Sequence, residues 1–441
     1  MLKIEKSAHG ELILIVALFE DENYRNFLPL TYTRPVFMLR SGMFTTLERT
    51  QKMFSHTRVV LFSRDYLAPM LKCQFKHQVN AADKIDEEFL LVNGALMLNK
   101  QVDQLIEKKL KLNTAVSVNG RIALARLSEK FAKNNSDVLL EPLTSAKSKR
   151  ILKECRILKG NNLPLMNYPW DLVDNCSMMI MNDCTLLHEK EATGTIDERA
   201  VIYGEKSSVH VDKGAFIEAG VVLDARKGPI YVGRNSVVQS GSRITGPAHI
   251  GDETIISSAL ILEGCSIGNV CRIGGEIEKT IVHGYSNKHH LGYLGHAYIG
   301  EWVNVGANTT NSNLKTTYGT VNVNVNGKRV DTKKTLVGCF IGDHVKTSIG
   351  TQIYTGKKIG VASHVHGFIT EDVPSFTVWA KSLGAGPVEL YLESVIETQK
   401  RVFARRGVKQ TKEDVDLLKK LFSLTSQERR EARVVKKRLE L

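Results

Sequence analysis

Residues 230–262 read IYVGRNSVVQSGSRITGPAHIGDETIISSALIL, and an aliphatic residue recurs in them at every sixth position. The recurring residues are Val232, Val238, Ile244, Ile250, Ile256 and Leu262. Neither the 3.6-residue period of a helix nor the two-residue period of a plain strand produces this spacing. A period of six is typical of a parallel β-helix, in which short strands and tight turns stack coil upon coil. The stretch therefore predicts a solenoid.

The same period continues on both sides of this stretch. The further members are Val211, Ile217, Leu223, Ile267, Ile273, Ile299, Val305, Ile341, Ile353, Ile359 and Val365. Two interruptions stand out. The longer step from Leu223 to Val232 contains Gly228-Pro229 and predicts a small bulge. After Val305 the pattern stops until about Val337, and the segment between them is rich in Asn, Thr, Lys and Gly. A long polar loop inside a compact repeat is usually functional, so the chemistry is expected there.

The composition is typical of a soluble globular protein, and the length predicts two or three domains. The chain has 441 residues, and it has no apolar run long enough to span a bilayer. Leu12–Phe19 has only eight residues and lies between Glu11 and Glu20, which favours a buried strand over a signal peptide. The seven cysteines are odd in number and include no CxxC pair, which favours reduced thiols in the cytoplasm. No membrane partner is expected.

The net charge of +13 is concentrated at the carboxyl end of the chain. Residues 401–441 contain 13 Lys and Arg against 6 Asp and Glu. A basic tail is one feature of nucleic-acid-binding proteins, but no binding motif or interleaved aromatic residues accompany it, so nucleic acid is not expected as a partner. Two interpretations stay open: a solvated helix face, or a surface that attracts phosphorylated substrates.

The chain is divided into three segments on these patterns. Residues 1–175 alternate apolar runs with amphipathic stretches, as an α/β domain does, and one stretch, Gly42–Met53, predicts a helix. Residues 195–375 form the predicted β-helix. Residues 385–441 form a basic helical tail, with a stripe of apolar residues from Val388 to Phe403 and a second helix from Lys412 to Phe422, capped by Thr411.

Four motifs in the second half carry a resemblance to a known family. They are GYSNK at 284–288, GHAYIGEWVNVGANTTNSNLK at 295–315, FIGDHVKTSIGTQI at 340–353 and VFARRGV at 402–408. This part of the chain resembles the bifunctional UDP-N-acetylglucosamine diphosphorylase / glucosamine-1-phosphate N-acetyltransferases, in a variant bacterial and archaeal branch. The resemblance implies that the hexapeptide-repeat β-helix is left-handed, against the usual crossover rule. It also implies a homotrimer with active sites between neighbouring coils, and acetyl-CoA as co-substrate.

The resemblance assigns roles to particular residues. His290 falls on the position of the general base, which would take the proton of the attacking amine. The resemblance also implies sugar contacts at Tyr293, Asn304 and Asn313, and sugar-phosphate anchors at Lys288, Lys315 and Arg272. It implies an acetyl-CoA channel that is bordered by Thr347, Ser348 and Gly350. The turn at these residues would offer N–H donors to the thioester oxygen. Departures from the family pattern occur at Leu314, at Glu278 beside Lys279, and at Ile349. The alternative for His290 is a surface histidine beside His289 in a polar turn.

The amino-terminal segment PLTYTRPVFMLRSG at 29–42 resembles the start of sugar-phosphate nucleotidyltransferases, which implies uridylyl transfer with Mg²⁺. No glycine occurs from Leu12 to Thr31, so the usual glycine-rich phosphate loop is missing. The run LLVNGALML at 90–98 has no carboxylate where the family holds its metal ion. The residues that could still bind nucleotide or phosphate are Arg25, Thr31, Arg34, Arg40 and Lys84, and Asp83, Asp86 or Asp171 could replace the metal ligand.

Three functions are compatible with these observations. The first is sugar-nucleotide synthesis, with acetyl transfer from acetyl-CoA to an amino-sugar 1-phosphate of the glucosamine-1-phosphate type and possible uridylyl transfer by residues 1–175. The second is a non-catalytic regulatory protein that binds sugar nucleotides, which the altered metal position favours. The third is a zinc enzyme of the β-helix carbonic anhydrase type, with His344, His364 and His366 as ligands. The first is the function that the sequence favours.

Overall fold

The computed structural model describes residues 15–160, 162–187 and 193–437. The described chain forms two compact units. The first contains the described residues up to Phe27, together with Thr33–Leu39 and Phe44–Tyr168. The second contains Leu28–Tyr32, Arg40–Met43 and the described residues from Pro169 onward. Two short amino-terminal segments therefore belong to the same unit as the repeats, which the division predicted from the sequence did not anticipate.

The first unit is built on a seven-stranded mixed sheet. From edge to edge the strands are Gln78–Val79, Arg58–Leu61, Ile15–Phe19, Phe89–Asn93, Arg121–Leu127, Thr114–Val118 and Arg156–Lys159. Ile15–Phe19 is parallel to both of its neighbours and is buried at every position. Continuous apolar sequence is typical of a parallel strand that is covered on both faces. The predicted strand is confirmed at these positions, and residues 12–14 lie outside the described residues.

Helices surround this sheet. The α-helices are Thr46–Met53, Ala68–Gln74, Lys100–Lys109, Glu129–Asn134, Ser136–Leu139 and Ser145–Lys153, and the 3₁₀ helices are Glu22–Phe27, Val36–Met38, Asp65–Leu67 and Ala82–Lys84. The predicted helix at 42–53 begins only at Thr46, because Thr45 and Glu48 form a capping box there.

The second unit consists of stacked coils with three parallel faces. The first face has Val209–Val211, Ile230–Val232, Ala248–Ile250, Cys265–Ile267, Ile281–Gly284, Tyr298–Glu301, Phe340–Ile341 and Lys358–Ile359. The second face has Thr195–Ile196, Phe216–Ile217, Val237–Val238, the starts of Ile255–Ile261 and Arg272–Glu278, then Asn287–Lys288, Lys346–Thr347, His364–Val365 and Thr377–Trp379. The third face has Val201–Tyr203, Val222–Asp224, Arg243–Thr245, the ends of Ile255–Ile261 and Arg272–Glu278, then Tyr293–Gly295, Thr310–Asn311, Gln352–Ile353 and Phe368–Ile369.

One inward residue per strand builds the core. Val232 pairs with Ile250 in the next coil, so a full coil takes three of the six-residue steps. The inward side chains are almost completely buried and stack as aliphatic columns. Burying such side chains is worth roughly 1.5–3 kcal/mol each, and an extended coil has no other source of a core. The predicted parallel β-helix is confirmed, and its left hand stays a prediction of the resemblance.

One step of the predicted period is wrong. The inward residue after Ile256 is Ile261, whereas Leu262 is half-buried. The strand pairing shifts between Ser257 and Ala259, and Ser258 has a φ of 45°. The corner at this point is therefore one residue tighter than the six-residue period predicts, and the next inward residue follows after five positions.

The coil corners use left-handed backbone conformations. Tyr285, Trp302 and Val270 have φ values of 51°, 58° and 59° at equivalent corners of three coils. Such conformations cost non-glycine residues of order 1–3 kcal/mol. The coil imposes them, because the paired strands on both sides of each corner fix the path of the chain.

The long interruption is an excursion from the third face. The coil continues past Val305 through Thr310–Asn311, so the repeat does not stop where the sequence predicted. The excursion contains an antiparallel hairpin, Asn322–Val325 with Lys328–Asp331. Its turn is Asn326-Gly327, with both φ values positive, as type I′ hairpins require. The chain rejoins the coil where the Val337 N–H donates to the Asn313 carbonyl at 2.8 Å.

Short helices flank the coils at both ends. Pro169–Asp174 and Cys176–Cys184 precede them, and Leu392–Ala404, Lys412–Leu424 and Ser426–Glu431 follow them. The Thr411 cap of the second carboxyl-terminal helix is confirmed. Val388, which was predicted to be helical, lies instead in a strand antiparallel to Thr377–Trp379.

The carboxyl-terminal helices pack onto the coils. Phe403 packs against Trp302 at a ring-centroid distance of 4.3 Å, and Phe422 packs edge-on against Phe376 at 5.3 Å. This segment is therefore docked, and its basic residues are only partly a solvated face.

Two further findings concern the predicted class of protein. Among the described residues, none of the helices has both the length and the apolar character needed to cross a membrane. All seven cysteines are described, and all are free thiols.

Candidate active site

Two polar residues replace aliphatic ones in the inward columns. Lys288 pairs with Ile273 and continues the column of the second face, yet it is 2% exposed. Asn311 pairs with Ile353 on the third face and is fully buried. Both lie in the coils that carry the family motifs. The aliphatic core is therefore interrupted at two positions in these coils.

Lys288 donates hydrogen bonds to the backbone of the candidate site. Its ammonium donates to the Gly274 carbonyl at 2.9 Å and to the carbonyl of His290. Burial lowers the pKa of Lys288 to about 8. The prediction that Lys288 anchors the sugar phosphate is not supported, because its ammonium points into the coil. Its role in this structure is to hold the turn that carries His290.

Asn311 replaces missing strand pairing. Its Nδ2 donates to the Gly295 carbonyl at 2.9 Å, and its Oδ1 accepts from the Gly295 N–H at 2.9 Å. A side-chain amide thus makes both bonds that a neighbouring strand would make to Gly295. This pair of bonds ties Tyr293–Gly295 to the next coil.

Tyr293 and Asn313, both predicted sugar contacts, belong to one hydrogen-bond network. Asn313 Nδ2 donates to the Tyr293 phenol at 2.8 Å and lies 2.9 Å from His296 Nδ1. The Tyr293 phenol donates to Glu278 Oε2 at 2.5 Å. An amide nitrogen only donates, so His296 Nδ1 accepts and the imidazole proton is assigned to Nε2. The sequence did not identify His296 or the role of Glu278.

Burial sets the protonation states of this network. Desolvation, and then the Glu278 carboxylate, raise the pKa of Tyr293. Desolvation lowers the pKa of His296. Both groups are therefore neutral near pH 7. The network is a rigid wall of phenol, amide and imidazole groups, the kind of surface that recognises sugar hydroxyls.

His290 lies in the exposed turn between Asn287–Lys288 and Tyr293–Gly295. Its ring packs edge-on against His289 at a centroid distance of 5.1 Å. Within the described residues, the His290 ring nitrogens have no hydrogen-bond partner. The ring is therefore accessible, and Lys288 fixes the backbone beneath it.

Asn304 lies away from this network, in a pocket of about 210 Å³. The pocket is lined by Tyr285, Asn287, Trp302, Val303, Asn304, Lys346, Val402, Arg405 and Arg406. Asn287 Nδ2 donates to Asn304 Oδ1 at 3.4 Å. The structure thus divides the predicted sugar contacts between two places, and it adds two arginines that the sequence noted only as part of a motif.

Two other predicted phosphate anchors have backbone partners. Lys315 Nζ donates to the Thr320 carbonyl at 2.6 Å, within the excursion. Arg272 Nη1 donates to the carbonyls of Glu253 and Cys271 at 2.9 and 2.8 Å. Lys315 is used locally, whereas Arg272 keeps most of its donors.

The predicted acetyl-CoA residues occupy one corner of the coil. Thr347 is buried, and its hydroxyl accepts from the Gly306 N–H at 2.8 Å. The Ser348 and Gly350 N–H groups donate to the carbonyls of Val365 and Ala307 at 2.9 and 2.7 Å. These two N–H groups are therefore committed to coil stacking, so the prediction that they stabilise the thioester oxygen is not supported. The corner can still border a channel.

In the first unit, polar side chains meet at the carboxyl ends of the two central parallel strands. Ligands of open α/β sheets bind at such an edge, where the strand order changes direction. Asn93 Nδ2 donates to Asp21 Oδ2 at 2.9 Å, and Arg121 Nε lies 2.8 Å from the same oxygen. Glu20 pairs with Arg64, Nε to Oε2, at 3.1 Å. The sequence did not single out these two carboxylates.

The residues at this edge do not fit Mg²⁺. Both oxygens of Asp21 accept from Arg121, and Glu20 accepts from Arg64. The described part of the chain has no group of three or more His, Cys, Asp or Glu residues that could hold a metal ion. Mg²⁺ requires carboxylates that are free to coordinate it.

The suggested substitutes for the metal ligand lie elsewhere. Asp83 lies 3.7 Å from Lys84 at an exposed site, and Asp86 pairs with Arg58. Asp171 belongs to the second unit. Neither Asp83 nor Asp86 joins the carboxylates at the strand edge.

The predicted phosphate-binding residues of this segment are divided between the two units. Arg25 is exposed beside Tyr24, and the buried Arg34 offers its carbonyl to Arg64 at 2.8 Å. Thr31 and Arg40 belong to the second unit, where both are buried. The guanidinium of Arg40 donates to the Met43 carbonyl, and the backbone N–H of Arg40 donates to the Tyr298 phenol at 2.9 Å. Arg40 is structural here, so its predicted nucleotide contact is not supported.

The zinc alternative has no site among the described residues. His344 Nε2 lies 3.2 Å from Gln399 Nε2, and burial lowers the pKa of His364 to about 4. The three histidines proposed as ligands do not form a metal-binding cluster.

Comparison with known proteins agrees with the architecture. Residues 16–192 match the family model described as sugar nucleotidyl transferase. Residues 161 and 188–192 of that range lie outside the described residues and are matched by sequence alone.

Two curated relatives have names that describe two activities. A bifunctional sugar-1-phosphate nucleotidylyltransferase/acetyltransferase of Sulfurisphaera tokodaii is 30% identical over 201 residues, which cover 45% of this chain and 43% of the relative. The bifunctional protein GlmU of Methanocaldococcus jannaschii is 27% identical over 319 residues, which cover 64% of this chain and 71% of the relative. The match thus spans less than half the length of the first relative. The resemblance predicted from the sequence motifs is confirmed.

Two solved structures align with the chain at low identity. An Arabidopsis UDP-N-acetylglucosamine acyltransferase is 16% identical over 55% of this chain and 91% of its own, with a TM-score of 0.25. An acetyltransferase-like protein of Bacillus cereus is 15% identical over 54% of this chain and 94% of its own, with a TM-score of 0.19.

Proposed function

We propose that this protein acts in sugar-nucleotide synthesis and transfers the acetyl group of acetyl-CoA to the amine of an amino-sugar 1-phosphate of the glucosamine-1-phosphate type. The observation that carries this proposal is the turn Lys288–Tyr293. It presents an accessible imidazole at His290 above a buried lysine, beside the network of Tyr293, Asn313 and His296. The relative named as a nucleotidylyltransferase/acetyltransferase supports the reaction class.

The proposed mechanism needs one base. The neutral amine of the sugar attacks the thioester carbonyl carbon, and a tetrahedral intermediate forms. His290 accepts the proton that the nitrogen loses. The carbon–sulfur bond then breaks, the amide forms, and CoA leaves as a thiolate that takes up a proton. The proposed role of Asn313 and Tyr293 is to hold the sugar hydroxyls so that the amine faces the thioester.

Assembly and location are parts of the same proposal. His290 is exposed in the single chain, and a base needs a site that limits access of water. A second copy of the chain packed against this turn would shield His290 from water, so we expect a homotrimer with sites between subunits. We expect the enzyme to work in the cytoplasm, where acetyl-CoA is made available and thiols stay reduced.

For the first domain we propose sugar-nucleotide binding without turnover. The ion pairs Asp21–Arg121 and Glu20–Arg64 occupy the carboxylates at the strand edge. Nucleotidylyl transfer is the activity given in the name of the first relative. Pyrophosphate release from UTP and N-acetylglucosamine 1-phosphate with Mg²⁺ would refute the binding-only role.

The acetyl-transfer proposal is tested with the purified wild-type protein. CoA-thiol release is measured with acetyl-CoA and a panel of amino sugars, with and without a 1-phosphate. The proposal expects release with glucosamine 1-phosphate. If another amino-sugar phosphate is acetylated instead, the proposed reaction is supported and the identity of the sugar substrate is revised. No release with any member of the panel would favour the regulatory alternative.

A further inference from the structure

Four cationic side chains gather around the Asn304 pocket. Lys346, Arg405 and Arg406 line it, and Arg272 lies close enough to lower the pKa of Arg406. The main cause of that lowered pKa is desolvation, followed by Arg272 and then Arg405. Burial also lowers the pKa of Lys346 to about 8. Positive charges held this close repel one another, and the repulsion falls when an anion binds between them.

The charges have no carboxylate partners among the described residues. Arg406 Nη2 donates to the amide oxygen of Asn287 at 2.7 Å, and its Nε is buried without a hydrogen bond. Lys346 Nζ donates to the His344 carbonyl at 2.8 Å. Other arginines of this unit are paired, as Arg429 is with Glu389 at 2.6 Å. The pocket thus keeps guanidinium donors that face no negative charge.

Aromatic packing places the arginines. Trp302 stacks on Tyr285 at 4.4 Å and contacts Phe403 at 4.3 Å, so the end of helix Leu392–Ala404 is fixed beside the pocket. The Arg406 N–H donates to the Phe403 carbonyl at 2.9 Å. Arg405 and Arg406 therefore reach the pocket from a rigid helix end and not from a free tail.

We propose that this pocket binds a phosphate monoester through Arg405 and Arg406, with Arg272 and Lys346 adding charge. A phosphate has three oxygens that accept from a guanidinium fork, and charge-assisted bonds of this kind are about twice as strong as neutral ones. At about 210 Å³ the pocket is smaller than sites for drug-sized ligands, which suits a phosphate group and part of a sugar. In this proposal the arginines bind the phosphate in place of Lys288 and Lys315, whose ammonium groups donate to backbone carbonyls.

The inference deepens the proposed function, on which it rests for the source of the phosphate. Asn304 lines the same pocket, so the 1-phosphate of the amino sugar is one source. The 3′-phosphate of CoA offers the same chemistry and is the other.

The first test is independent of catalysis. Binding of inorganic phosphate is measured by titration calorimetry for the wild type, for Arg405→Gln/Arg406→Gln and for the control Lys409→Gln, which removes a nearby charge outside the pocket. The proposal expects the double variant to weaken phosphate binding by about tenfold or more, and the control to bind as the wild type does. Equal binding by the double variant and the wild type, with unchanged melting temperatures, would overturn the proposal.

The second test identifies the source and separates this inference from the proposed function. A higher KM for glucosamine 1-phosphate in the double variant supports the sugar phosphate as ligand. A higher KM for acetyl-CoA, absent with dephospho-CoA as acyl carrier, supports the 3′-phosphate. Unchanged KM values for both in an active enzyme would overturn the site while the acetyltransferase stands. Phosphate binding that depends on both arginines in an inactive protein would support the site while the proposed function fails.

Discussion

The amide nitrogen of Asn313 lies 2.8 Å from the phenol oxygen of Tyr293, 20 positions earlier in the chain. The bond joins the start of the long excursion to the strand that follows His290. The same amide reaches His296 Nδ1 at 2.9 Å, and the phenol donates to Glu278. One side chain thus links the turn of the proposed base to the excursion.

We expect Asn313→Ala and Tyr293→Phe to be coupled. Each removes one partner of a part-buried bond and should lower the free energy of unfolding by about 1 kcal/mol. The double variant should cost less than the two effects added, by roughly 0.5 kcal/mol or more. Urea unfolding of the four proteins measures this difference. Strict additivity would show that the two side chains act independently.

Lys288 should make the stability of the protein depend on pH. Its pKa is about 8 in the folded chain and about 10.4 when unfolded. From pH 8 to 10.4 the unfolded chain therefore binds more protons, so this residue makes stability rise with pH in that window. In Lys288→Met that contribution disappears. Chemical unfolding at pH 7, 8, 9 and 10 measures both slopes.

Lys346 has a similar pKa and serves as the control for that experiment. It should leave a residual rise in Lys288→Met, because it is untouched there. Identical slopes of the free energy of unfolding against pH in Lys288→Met and the wild type would show that burial does not lower the pKa of Lys288.

The ion pair Asp21–Arg121 should be structural. Arg121→Ala leaves the buried Asp21 carboxylate without its partner and should lower the free energy of unfolding by about 3–5 kcal/mol. Adding Asp21→Asn should recover part of the loss, because the uncompensated charge is then gone. Thermal and urea unfolding of the two variants test this. A single variant as stable as the wild type would contradict the pairing.

Phe403 should hold in place the helix Leu392–Ala404, which ends directly before Arg405 and Arg406. Phe403→Ala removes the contact with Trp302, so hydrogen exchange in Leu392–Ala404 should quicken and phosphate affinity should fall. Phe422→Ala is the matched control, because Phe422 packs on Phe376 under a different helix. Exchange measured by mass spectrometry that changes equally in both variants would refute the specific role of Phe403.

The sequence predicted the coils because their spacing is local. Each inward residue, such as Ile244 or Ile250, is set by the distance to its neighbours along the chain. The tighter corner at Ser258 was missed because the pattern shows residue types and not backbone angles. The motifs also singled out Tyr293 and Asn313, which share one hydrogen-bond network, and the role of His290 stays a prediction.

Contacts between distant residues could not be predicted in this way. Asp21 and Arg121 are 100 positions apart, and nothing near either residue indicates the pairing. Arg406 and Asn287 are 119 positions apart, so the docking of the tail was missed as well. The burial of Lys288 was missed because GYSNK reads as a polar turn, although strand pairing places the lysine under Ile273.

The central claim is that His290 is the base of an acetyl transfer, and the adjacent His289 offers a matched control because it is also exposed. The decisive measurement is CoA-thiol release from acetyl-CoA and glucosamine 1-phosphate by wild type, His290→Ala and His289→Ala across pH 6 to 9. We predict that His290→Ala loses about 10²-fold or more in kcat, while His289→Ala keeps the wild-type kcat. A His290→Ala enzyme that retains wild-type kcat would contradict the assignment.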